Sequence, residues 1–153
     1  MASITTLHPT ESAGRSTAFA RILPHIVRIL MGASLIVFGL NLFLNFLPQP
    51  TTPLPPAALA FIGALAGTGY MLKMIGATQV IVGILLLANR FVPLALILFA
   101  PFLVNSLAFH IFLEPSGRPM AVLYWAFELY LAWVNRRAYA PLFRASPDRI
   151  ERN

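Results

Sequence analysis

Seven polar side chains interrupt long apolar stretches of this chain: Asn41, Asn45, Gln79, Asn105, His110, Tyr124 and Glu128. Glu128 stands out. It lies in "AVLYWAFELYLAW" (121–133), where the other twelve of thirteen residues are apolar or aromatic. At the centre of a bilayer-crossing helix an acidic residue costs about 2.5–3.5 kcal/mol. Amides and hydroxyls gathered round it would lower that cost. The expectation is therefore a Glu128 bonded to Asn or Gln side chains. Tyr124, four residues earlier, shares its helix face. Two readings of the set stand side by side. An intramembrane ionisable residue marks a ligand site or proton path. The same residues also serve as polar glue between helices.

Other chemistries fall away. No His, Asp or Glu cluster has metal-ligand spacing, the chain has no cysteine, and no metal site is expected. His25 and His110 belong to opposite ends of the fold, so they cannot share one haem. No Gly-rich phosphate loop or nucleophile elbow is present. The expectation is no catalytic residue and no catalytic activity of the chain alone.

Helices must position these residues. Charged residues make up only 10% of the 153, against about 25% in soluble domains. Mean hydropathy is +0.76, so lipid is the expected solvent. A spanning helix needs about 20 apolar residues. Four stretches supply them, at about 26–47, 72–88, 92–112 and 119–135. Pro24, Pro93 and Pro119 are placed at or before first turns, where a missing N–H costs nothing. The predicted fold is an all-α integral membrane four-helix bundle, residues 22–137. Residues 1–21 form a flexible cytoplasmic tail and 138–153 a basic one. Segment 57–69 follows "PQPTTPLPP" (48–56), five of whose nine residues are proline. It reads as a short interfacial helix in the first outer loop.

Charge sets the span count. With four spans, nine of the eleven cationic side chains share one side: Arg15, Arg21, Arg28, Arg90, Arg136, Arg137, Arg144, Arg149 and Arg152. Only Lys73 and Arg118 fall on the other. That is the positive-inside pattern, with both termini cytoplasmic. The net charge of +6 reflects those helix ends, and no nucleic acid is implied. "GASLIVFG" (32–39) and "GATQVIVG" (76–83) each place two glycines about two turns apart. Gly32, Gly39, Gly76 and Gly83 are expected to form a packing seam between the first two spans. Pro101, mid-span in the third, is expected to kink it.

"GLNLFLNFLP" (39–48), "LLLANRFVPLAL" (85–96), "VNSLAFHIFL" (104–113) and "ELYLAW" (128–133) together resemble the DoxX family of small bacterial membrane proteins. The resemblance covers about residues 28–144. It implies a four-helix, multi-pass protein of the bacterial inner membrane. Many relatives carry Glu where this chain has Gln79, and Lys shortly after the position of Asn41, where this chain has Leu42. The family is named through a link to quinone-coupled thiosulfate oxidation. The leading expectation is a non-catalytic membrane subunit or scaffold for a redox or stress-related partner, or a membrane subunit of a quinone-linked oxidoreductase. The alternative is a binder of a quinone, lipid or other hydrophobic molecule in the outer half of the bundle, at Asn41, Asn105, His110 and Glu128. A small transporter acting as an oligomer comes third. Membrane lipids are the expected surroundings, and no cofactor is required outside the quinone reading.

Overall fold

The computed structural model describes residues 12–48 and 52–143, with side chains from Arg21 onward. The side chain of Arg15, all of Arg144, Arg149 and Arg152, and most of the two tails lie outside this part. Helix α1 spans Ser12–Leu44, ahead of the predicted start and through Pro24. One proline removes one backbone bond, which an otherwise continuous apolar helix tolerates. The end is built by asparagines. Asn45 turns to φ 49°, a left-handed conformation that Asn adopts more readily than most residues. The Asn41 Oδ1 accepts the Leu47 N–H at 2.8 Å. The helix therefore stops at Leu44, not at the predicted residue 47.

Helix α2 spans Pro56–Gly67 and α3 spans Met71–Leu87, with Pro56 in the first turn of α2. The two are bent by 88°. Gly69, at φ 76°, makes the corner, and the Thr68 hydroxyl accepts the Met71 N–H at 3.0 Å. Helices α4 (Val92–Phe112) and α5 (Arg118–Val134) begin with Pro93 and Pro119 in their first turns. Helix α4 continues on both sides of Pro101, which is exposed. A 3-10 segment, Arg136–Phe143, follows α5 and is tied to the start of α4 by Tyr139, whose hydroxyl donates to the Pro93 carbonyl at 3.3 Å.

Four of the helices touch in a closed ring, α1 on α3, α3 on α4, α4 on α5, and α5 back on α1. The α1–α3 contact is backbone to backbone. A Cβ on Gly39 would stand 2.8 Å from the Gly76 carbonyl, and one on Gly83 would stand 2.7 Å from the Gly32 carbonyl. Residue numbers rise on one helix as they fall on the other, so the pair is antiparallel. Trp125 Nε1 donates to the Leu103 carbonyl at 3.1 Å and joins α5 to α4. The Tyr124 hydroxyl donates to Ser34 Oγ at 2.7 Å and joins α5 to α1. Met31, Leu35, Val82, Leu86, Phe99 and Leu131 fill the space between them.

The described residues are helical, with no strand among them. Arg21–Leu44 and Val92–Phe112 are each long and apolar enough to cross a membrane, and the bent pair α2 plus α3 is a third candidate. Only 28% of each of the first two windows is buried inside the protein. Ile29, Leu30, Val37, Leu94, Ile97 and Val104 all face outward. A helix apolar all round is one that is covered, by a membrane or by the core of a larger assembly. Helices α3 and α5 have 17 residues each, about 25 Å at 1.5 Å per residue.

Candidate functional site: a roofed cavity beside His110

Helix α2 turns one face to the ring. Ala58 is fully buried, and Phe61, Ile62 and Leu65 line a cavity of about 350 Å³ beneath it. Their spacing places them on one side of the helix. Phe61 packs on Phe109 of α4 with ring centroids 5.6 Å apart. The other side of α2, with Leu59, Ala60 and Ala64, is apolar and exposed. The rest of the lining comes from three helices. Asn41 enters from α1, Gln79 from α3, and Asn105, Ser106 and His110 from α4.

Gln79 is the pivot. It is 6% exposed, and its Oε1 is buried with no hydrogen-bond partner. A lost partner for a buried polar atom costs about 1–3 kcal/mol. Gln79 and His110 also line a deeper cavity of about 170 Å³, which reaches Tyr124 and Ser106. Gln79 and Asn105 line a third, of about 320 Å³, with Thr78 and Pro101. Five predicted polar residues (Asn41, Gln79, Asn105, His110 and Tyr124) thus meet around adjoining spaces.

His110 is held from outside. Its Nδ1 lies 3.0 Å from both the backbone carbonyl and Oε2 of Glu114. Both are acceptors, so Nδ1 carries the hydrogen. In the neutral ring, Nε2 is then left as an acceptor. Glu114 also accepts the N–H groups of Ser116 at 3.1 Å and Gly117 at 2.9 Å, and the Ser116 hydroxyl. A Cβ on Gly117 would collide with the His110 ring. Arg118 closes the helix end, donating to the carbonyls of His110 at 3.0 Å and Ile111 at 2.8 Å.

The Ser116 hydroxyl bond, followed by the backbone N–H bonds of Gly117 and Ser116 and the His110 contact, holds the Glu114 carboxyl below its ordinary 4.5, against an opposing contribution from burial. The unfolded chain therefore binds this proton more readily than the folded one. Stability from this turn is complete above about pH 4.5 and is lost as the pH falls through the lowered value. Thermal midpoints across this range should fall more steeply in the wild type than in Glu114→Gln. Parallel curves would remove the turn's role.

Glu128 corrects the sequence reading. It is 5% exposed, it lines none of these three cavities, and its Oε2 is buried without a partner. No hydrogen bond reaches it from Asn41, Gln79 or Asn105. The Tyr124–Ser34 bond fixes the register, and α1 and α5 run in opposite directions, since the start of α1 and the end of α5 line one cavity. Asn41 is seven residues beyond Ser34 toward the α2 end, and Glu128 four residues beyond Tyr124 toward the opposite end. At 1.5 Å per residue, about 16 Å of bundle axis separates them.

Glu114, Ser116 and Gly117 were not singled out in the sequence. An acidic residue just before Pro-Ser-Gly was the available sign, since its carboxylate can take the free N–H groups that follow. Among the described residues no group of three or more His, Asp or Glu could hold a metal ion. No family model, curated protein or solved structure matches the chain.

Proposed function

We propose that the chain binds an amphipathic small molecule with a hydroxyl donor in the cavity roofed by α2. The buried, unpartnered Gln79 Oε1 carries the proposal. A hydroxyl group would supply the missing hydrogen bond, and His110, which lines the same cavity from α4, offers Nε2 as a second acceptor in its neutral form. The apolar remainder suits a ring or an acyl chain. The volume falls within the range of about 300–1,000 Å³ usual for ligand pockets. A quinol or a hydroxyl-bearing lipid fits this chemistry.

The setting is part of the proposal. A four-span bundle in a bacterial inner membrane, with both termini on the Arg-rich cytoplasmic side, accounts for the charge distribution and the outward apolar faces. It agrees with the DoxX resemblance. Helix α2 would then lie at the outer interface, and ligand would reach the cavity from the bilayer. The scaffold reading relies on the Arg-bearing tails, most of which lie outside the described residues. The cavity is therefore the better supported basis.

Native mass spectrometry of protein released from lipid nanodiscs tests this. A discrete adduct is expected in the wild type and in Glu128→Gln, and its mass gives the ligand class. Gln79→Leu should lose it while keeping its helical circular dichroism. An adduct retained in Gln79→Leu, or lost only in Glu128→Gln, would move the site elsewhere.

A further inference from the structure

A separate cavity, of about 260 Å³, lies at the opposite end of the α1–α5 seam. Arg28 and His25 of α1, Asn89 of the α3–α4 turn and Asn135 after α5 supply its polar lining. Among the described residues no acidic side chain lines it. Arg28 is half-buried, and its Nε and Nη1 are both buried without a hydrogen-bond partner. Among the described residues His110, at the far end of the protein, is the sole basic side chain within 4.0 Å of a carboxylate, that of Glu114. Arginine does not lose its charge in proteins. A buried cation left unpaired is costly, and the usual remedy is an anion with good hydrogen-bond geometry.

We propose that Arg28 anchors an anion site at this inner end and takes a phosphate group. The guanidinium is the preferred side chain for phosphate oxygens, through directional N–H donors. At about 30 Å³ per water, the cavity holds roughly eight waters, room enough for a phosphate and a short polar substituent. Exposed Arg90, next to Asn89, and exposed Arg137, two residues past Asn135, add positive charge nearby and draw anions in. Among the described residues Glu128, whose Oε2 is also unpartnered, is the one acid at a similar depth: from the Tyr124–Ser34 contact it is four residues inward on α5, and Arg28 six residues inward on α1. It does not line the cavity.

The phosphate could belong to an anionic phospholipid of the adjacent leaflet or to free phosphate. The first source rests on the membrane reading, whereas the second does not. The site is independent of the cavity under α2, so either can fail alone. The test uses full-length protein in phosphatidylcholine nanodiscs. The thermal midpoint is followed as phosphatidylglycerol replaces part of the phosphatidylcholine, and separately as sodium phosphate replaces sodium chloride at constant ionic strength. One of the two should stabilise the wild type, with an apparent affinity about tenfold above that of Arg28→Gln. Phosphatidylglycerol acting alone identifies a lipid headgroup, and phosphate acting in pure phosphatidylcholine identifies the free ion. Equal responses in wild type and Arg28→Gln, or no response in wild type, overturn the proposal. Should Arg28→Gln fail to fold, native mass spectrometry of the wild type in an equimolar lipid mixture and in sodium phosphate decides. Selective retention of phosphatidylglycerol or of phosphate supports the site, and retention of neither removes it.

Discussion

Gly39→Ala, Gly76→Ala and Gly83→Ala should each destabilise the folded protein by about 1–3 kcal/mol, the usual cost of overpacking a tight contact. The new methyl group meets backbone. At Gly39 it would stand 2.8 Å from the Gly76 carbonyl, and at Gly83 it would stand 2.7 Å from the Gly32 carbonyl. A carbonyl cannot rotate aside as a side chain can, so α1 and α3 must separate along their length. Alanine is the better helix former by about 1 kcal/mol, so the measured loss is net of that gain. Gly32→Ala should be milder, because its nearest neighbours stand at 3.1 Å and two of the three are atoms of the Leu87 side chain. Gly63 supplies the control. It lies inside α2, with nothing within 4 Å of the place a methyl group would take, and Gly63→Ala should be neutral or slightly stabilising. Denaturant unfolding in detergent micelles, followed by circular dichroism, reads the difference. Equal midpoints for Gly83→Ala and Gly63→Ala would mean that the α1–α3 seam is not what holds the fold together.

Glu128→Met should leave the fold intact and raise stability by about 1–3 kcal/mol, the cost of an unsatisfied buried polar group. The carboxyl is 5% exposed and its Oε2 has no partner. Methionine has a similar length and no polar group to satisfy. Replacing a buried charge with a well-packed apolar side chain is often neutral or stabilising. Glu128→Gln should fall between the two. The same unfolding measurement applies. Loss of the fold in Glu128→Met would show that the carboxyl has a partner that holds α5 in place. Rescue by Arg28→Gln in the double variant would name that partner, because the two mutations would then be non-additive.

These two experiments also separate what was legible from what was not. Helix positions follow from local rules. Runs of apolar residues set the lengths, and prolines at 93 and 119 mark the starts of α4 and α5. The predicted third and fourth stretches differ from the observed helices by no more than one residue at either end. The glycine pairs were also legible, since small residues two turns apart leave a flat strip on any helix. Near residue 45 the reading ran too far. A run of Leu and Phe continues there, but Asn45 takes a left-handed turn that hydropathy does not report.

The sequence alone therefore determined the helical class, the apolar exterior, the α1–α3 seam and the list of polar residues worth attention. Those are properties of composition and of the 3.6-residue period, and each is contained in a single helix. Only the tertiary structure decided which polar residues share a space. The Tyr124–Ser34 bond sets the slide of α5 along α1, and that slide leaves Glu128 outside the cavity that Asn41, Gln79, Asn105 and His110 line. It also decided that Glu114 reaches back to His110, and that Arg28 faces a cavity that no acid among the described residues lines. Depth along a helix can be counted from a sequence. The rotation and offset of one helix against another come from side-chain packing over the whole bundle, and no local pattern records them.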